Sequence, residues 1–173
     1  MMALVVILGC WLGYVCVRAR TQADAVRAIK SVGGAVMYDD QFAVNPGTAR
    51  PKWWAPRWLV DRLGKDYFYT VVAARLSGPG VGDAELAPLG SLGRLQSLNI
   101  DSNRVSDAGL AHLGGLVRLE KLIILNTPVG DAGLRHLDGL GRLRLVVAQG
   151  TRVSAEGARR LKRTLPRVEM ALD

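Results

Sequence analysis

Three aspartates, Asp83, Asp107 and Asp131, recur at intervals of 24 residues, and two histidines, His112 and His136, recur at the same interval. Carboxylates and imidazoles gathered by a repeat could hold a metal or relay protons. Both histidines fall at non-leucine positions of a leucine-patterned helical stretch, which turns them to solvent. Each aspartate opens such a stretch, where a carboxylate caps the first turn and suits the helix dipole. Repeating caps are not an acid–base pair, and no metal site is expected. Cys10 and Cys16 both lie inside an N-terminal apolar run and face different directions on a helix, so neither a disulfide nor a metal site follows. No nucleophile elbow, phosphate-binding loop, H-E-x-x-H or dinucleotide fingerprint is present. The chain reads as non-catalytic, with no cofactor.

The chemistry that remains is charge recognition. The net charge is +8, from 23 basic and 15 acidic side chains, spread along the chain rather than blocked. Excess arginine suits an anionic partner, but a GC-rich coding bias is the favoured source, because the charges are not blocked. Arg94, Arg118 and Arg142 stand 24 residues apart, each just before a strand-like segment. Strands lie about 4.8 Å apart, so these guanidinium groups would form a positive stripe for phosphate, lipid headgroup or an acidic partner; solvated turn arginines would give the same pattern. The basic cluster Arg152, Arg159, Arg160, Lys162, Arg163 and Arg167 has no interleaved aromatics, so nucleic acid is not an expected partner.

The elements that must position these groups follow from the same period. Val81, Val105, Val129 and Val153 are 24 residues apart, as are Leu89, Leu113, Leu137 and Leu161; Leu92, Leu116 and Leu140 keep step, with Leu95, Leu119 and Leu143. The strand half of each unit reads Leu95-x-x-Leu98-x-Ile100, Leu119-x-x-Leu122-x-Ile124 and Leu143-x-x-Val146-x-Ala148, with a degenerate first copy at Val71, Ala74 and Leu76. The alternating apolar pair marks a strand with one buried face. Asn103, Thr127 or Thr151 follows, to hydrogen-bond the backbone where the chain turns inward. The helix half reads Asp107-Ala-Gly-Leu110-Ala-His-Leu113-Gly-Gly-Leu116, and Gly109, Gly133 and Gly157 recur inside it. Glycine there costs up to about 1 kcal/mol relative to alanine, so its recurrence points to close approach of neighbouring helices. One unit cannot bury its leucines alone, whereas stacked units bury them against each other.

The unit L-x-x-L-x-L-x-x-T-x-V-[ST]-D-A-G-L-x-x-L-x-x-L, matched by Asn99 to Leu110, resembles the bacterial leucine-rich repeats abundant in planctomycetes. The resemblance covers about 100 residues and implies an α/β leucine-rich-repeat solenoid: a right-handed βα superhelix with a parallel sheet on its concave face. It implies protein–protein recognition on that face. Proteins of this layout pair an N-terminal membrane helix and a short juxtamembrane segment with a few repeats. The corresponding organisation is 1–20 transmembrane anchor, 21–70 helix–strand–helix cap, and 71–173 leucine-rich-repeat domain, with four 24-residue repeats and a closing half-strand at Val168, Met170 and Leu172.

In such strands the residues between the buried pair face outward. Three ladders are expected: Ala73, Ser97, Lys121 and Leu145; Arg75, Asn99, Ile123 and Val147; and Ser77, Asp101, Leu125 and Gln149. The last two units would expose Ile123, Leu125, Leu145 and Val147 as one aliphatic patch, unusual for a monomer surface. It would serve a partner segment or a second copy of the chain, unless the C-terminal tail folds back over it.

Met1 to Val17 carries no side-chain charge and ends at Arg18 and Arg20. As a helix it measures about 25 Å, the short end of what spans a bilayer. Trp11 and Tyr14 lie toward its C-terminal end, where rings favour headgroups. A single-pass span is favoured over a cleaved signal, because no basic residue precedes the run and no A-x-A site follows it; Ile7-Leu8-Gly9-Cys10 loosely resembles a lipoprotein cleavage box. Arg18, Arg20, Arg27 and Lys30 after the run place the folded part in the cytoplasm by the positive-inside rule. A start codon assigned too late would reverse that, so the side stays open. Ala25, Val26, Ile29 and Val32 predict a helix stopped by Gly33-Gly34, Ala35 to Phe42 a strand, and Pro56 the start of a second helix with Leu59 and Leu63 on one face and Gly64 at its end. Trp53, Trp54 and Trp58 either cap the open solenoid end or, with Arg50, Lys52, Arg57 and Arg62, contact lipid. The expected function is a membrane-anchored protein-interaction scaffold. The alternatives are a self-assembling structural protein and a lipid-surface module built on residues 50–69.

Overall fold

The computed structural model describes residues 2–39, 57–102 and 104–172, with the side chains of 2–12, 14, 15, 57 and 59 outside that description. Trp53, Trp54 and Asn103 therefore fall outside it as well. A helix α1 (Met2–Ser31) leads into strand β1 (Ala35–Tyr38), and α2 (Arg57–Leu63) precedes β2 (Val71–Ser77). Strand and helix then alternate: α3 (Asp83–Leu86), β3 (Ser97–Asp101), α4 (Asp107–Ala111), β4 (Lys121–Leu125), α5 (Asp131–Leu134), β5 (Leu145–Gln149), α6 (Ala155–Thr164) and β6 (Glu169–Leu172). The strands form one sheet in the order β1-β2-β3-β4-β5-β6. β1 pairs antiparallel with β2, and every later pair is parallel. This is the arrangement of a leucine-rich-repeat-like solenoid, in which each chain turn adds one strand beside the last.

The 24-residue period becomes register. Leu98 pairs with Leu122 and Leu122 with Val146, while Ile100, Ile124 and Ala148 form the neighbouring row. All of these side chains are buried, as are Leu95, Leu119 and Leu143 and the helix-half leucines Leu110, Leu113, Leu116, Leu134, Leu137 and Leu140. They form a single hydrophobic core running through all the coils. The helix halves are short. α3, α4 and α5 have four or five residues, because a 24-residue coil must also supply a strand and two turns; α3 and α5 run on as 3-10 turns over Ala87–Ser91 and Arg135–Leu137. Only α6, with ten residues, makes a longer helix before the closing strand. The turn after a strand takes positive φ at three equivalent positions, Gly78, Asn126 and Gly150, residue types that tolerate the left-handed region.

The N-terminal segment joins the same core. Ala25, Val26 and Ile29 of α1 are buried among the leucines of the first coil, and Val32 packs against them. Gly33 ends α1 with φ +78, and Gly34 fits tightly, since a Cβ there would stand 3.0 Å from the Arg75 carbonyl. β1 ends at Tyr38, residues 40–42 of the expected strand lie outside the described ones, and β1 adds an antiparallel strand to the exposed edge of β2. The expected apolar face of α2 is not borne by Leu63, which is 47% exposed; its helix is followed by Gly64 at φ +91, as the sequence anticipates. The apolar run and the following helix, expected as separate elements, are one continuous helix, because no residue between Val17 and Thr21 breaks it. Among the described residues no helix is long and apolar enough to cross a membrane, and most side chains of the expected 1–20 anchor lie outside the described ones.

Candidate interaction surface

The three outward ladders are in register. Ala73, Ser97, Lys121 and Leu145 pair in turn, as do Arg75, Asn99, Ile123 and Val147, and Ser77, Asp101, Leu125 and Gln149. β1 and β6 lengthen two of them: Met37 lies beside Ala73 and Ala35 beside Arg75, while Glu169 lies beside Leu145 and Ala171 beside Val147. The C-terminal tail therefore extends the sheet instead of folding across it. Ile123, Leu125, Leu145 and Val147 are half-buried rather than fully exposed, a correction to the expected open patch. Side chains on a parallel sheet stand beside their in-register neighbours and shade one another. The apolar cluster is bordered by Lys121 and Gln149, both exposed, and by Glu169 at the far end. Asn126, just past β4, donates from its Nδ2 to Asp101 Oδ1 at 2.9 Å and orders that rim.

The recurring aspartates do something other than cap their own helices. Asp83 Oδ1 accepts from the Ser106 main-chain N–H at 2.7 Å, and Asp83 Oδ2 from the Ser106 hydroxyl at 2.6 Å. Asp107 Oδ1 accepts from the Gly130 N–H at 2.7 Å. Asp131 receives the Ser154 N–H at 2.8 Å and the Ser154 hydroxyl at 2.6 Å. Each carboxylate thus ties its coil to the start of the next helix. Capping within a helix falls to the serines: Ser106 accepts from the Ala108 N–H and Ser154 from the Gly157 N–H. The same staple explains the glycines. A Cβ on Gly133 would meet Asp107 Oδ1 at 2.5 Å, and one on Gly109 or Gly157 would collide with the carboxylate of Asp83 or Asp131. Ala155 takes the corresponding position in the next unit and breaks the aspartate series. The Ser154 hydroxyl, and next its main-chain N–H, hold the Asp131 carboxyl below its ordinary pKa of 3.8; partial burial opposes this and Arg135 adds a smaller pull.

His112 and His136 are exposed, and no group able to hold a metal occurs among the described residues. Of the inward-turn residues, Thr151 donates to the Ala148 carbonyl. Thr127 is buried with no partner for its hydroxyl among the described residues. In the second coil Ser102, one position earlier than expected, donates to the Val81 carbonyl at 2.6 Å. Arg94, Arg118 and Arg142 are all exposed, and Trp58 is 65% exposed. Sequence reasoning missed that Arg18 belongs with the first two arginines: Arg18, Arg94 and Arg118 line one groove.

No family model matches the chain, and no curated protein matches it. Among solved structures, that of the Chaetomium Mex67:Mtr2 subunits is similar over 58% of this chain and 78% of the other, at 15% identity and a TM-score of 0.47. An internalin from Listeria monocytogenes is similar over 50% of this chain at 17% identity and a TM-score of 0.33. This chain spans about a third of the internalin, 32% of its length.

Proposed function

We propose that the chain is a non-catalytic, membrane-anchored interaction module that holds a protein partner on the outward face of its sheet. The observation that carries this reading is the aliphatic cluster of Ile123, Leu125, Leu145 and Val147, brought together by register on a rigid sheet and left uncovered by the chain's own tail. Four half-buried aliphatic side chains rimmed by Lys121, Asp101 and Glu169 have the make-up of a small interface core with a polar edge. An extended or helical partner segment with apolar side chains would complete it. The apolar run up to Val17, continuous from Met2 with the helix that packs on the first coil, would tether the module to a bilayer.

The test is crosslinking of the full chain in its native membrane, comparing wild type with the double variant Ile123→Asp and Val147→Asp. A discrete crosslinked product that disappears in the variant, while its thermal melt stays within a few degrees, supports the reading. Undiminished crosslinking in a folded variant removes this face from consideration.

A further inference from the structure

We propose that the groove between α1 and the turns before β3 and β4 binds the phosphate of an anionic phospholipid headgroup. The groove has a volume of about 340 Å³ and is lined by Arg18, Gln22, Thr70, Ser91, Arg94 and Arg118 among others, with no carboxylate in its wall. Three arginines thus line one space, and arginine presents donors in a planar fork that matches phosphate oxygens. Arg18 is oriented by donating from Nη2 to Thr70 Oγ1 at 3.0 Å, which occupies one of its five N–H groups. Among the described residues the ion pairs are Arg27 with Asp24 and Arg160 with Asp138, so none engages the groove arginines. The carboxylate of Asp66, outside the groove wall, accepts on Oδ1 from Gln22 Nε2 at 3.0 Å and from the Tyr38 hydroxyl at 3.1 Å.

The position of the groove selects the source of the phosphate. Buried Gln22 fixes α1 to the start of β2, donating to the Tyr69 carbonyl at 2.9 Å and accepting from the Val71 N–H at 3.3 Å. At its other end α1 reaches Gly34, against the Arg75 carbonyl. α1 therefore runs along β2, and its residues before Arg18 project past the sheet edge where the strands begin, by about 1.5 Å per residue. Arg94, Arg118 and Arg142 each precede their strand by three residues, at that same edge. With Met1 to Val17 in a bilayer, Arg18 stands at the headgroup layer and the arginine edge lies against the lipid surface. This rests on the anchor reading above.

The test uses full-length chain in nanodiscs of phosphatidylcholine with a minor share of phosphatidylglycerol, followed by native mass spectrometry of the lipid retained on ejection. Wild type retains phosphatidylglycerol over phosphatidylcholine by about tenfold, because both present a phosphodiester but the choline ammonium of the second is repelled by the groove arginines. Arg94→Gln with Arg118→Gln removes that preference without altering the melt, since both side chains are exposed. Equal retention of the two lipids, or an unchanged preference in the variant, overturns the proposal. Displacement of the retained lipid by millimolar inorganic phosphate overturns the lipid assignment in favour of a free anion. Flotation with neutral phosphatidylcholine vesicles reads the anchor separately. A chain that stays in the aqueous phase refutes the anchor and this assignment together, and one that floats without lipid preference refutes the groove alone.

Discussion

Replacing Gly157 by alanine should reverse the usual outcome of that exchange in a helix. Inside an ordinary helix alanine is better than glycine by about 1 kcal/mol. At Gly157 the added Cβ would have Asp131 side-chain atoms as its three nearest neighbours, two of them from the carboxylate's own oxygens. The carboxylate must swing away and give up the N–H and hydroxyl of Ser154. Hydrogen bonds to a charged group are worth about 1.5–3 kcal/mol each. Asp131 is half-exposed, so water recovers part of this and the lower figure applies, giving a loss of about 3 kcal/mol. Setting the helix gain against it leaves a net destabilisation of about 2 kcal/mol, or about 4–8 °C in Tm for a chain of this size. In an Asp131→Ala background the collision is gone, and the same glycine exchange should stabilise by up to about 1 kcal/mol. The double-mutant cycle thus predicts a coupling of about 3 kcal/mol, read from denaturant or thermal unfolding of all four variants. Gly157→Ala costing the same in both backgrounds, or stabilising the parent, would falsify the staple account.

Because Ser154 lowers the Asp131 pKa in the folded state, the stabilisation it brings is fully present above the unfolded value of 3.8 and is lost as pH falls through the folded value. The Tm gap between wild type and Asp131→Asn should stay level from neutral pH to about pH 5 and close below about pH 4, whereas a gap that widens on acidification contradicts the sign. Ile29, fully buried where α1 meets the first coil, should cost about 2–5 kcal/mol on truncation to alanine. Val117→Ala, at a position 58% exposed, should stay within about 0.5 kcal/mol. Equal urea midpoints for these two variants would show that the N-terminal helix does not share the solenoid core.

Much of the fold is legible in the sequence because a period of 24 is also a length of chain. Once Leu98, Leu122 and Val146 repeat at that interval, each must occupy the same place on its coil, and stacking is the arrangement that buries them all. The outward ladders follow from the same periodicity, since residues flanking a buried one on a strand must face the other way. Even the close helix approach is written in Gly109, Gly133 and Gly157, because three glycines at one helix position have no propensity reason to recur.

What only the tertiary structure decided is which groups from different coils meet. The sequence presents Asp83, Asp107 and Asp131 as helix openers, and within one coil that is a sound reading. The partners that claim them, Ser106, Gly130 and Ser154, lie 23 residues ahead on the next coil, and a distance across the stack leaves no mark on local spacing. Arg18 and Arg118 are 100 residues apart and show no common pattern, yet the course of α1 along β2 brings them into one groove. Periodicity specifies where a residue sits on its own coil. Side-chain reach between coils, and the docking of a non-repeating helix on the first of them, depend on packing that has no period to read.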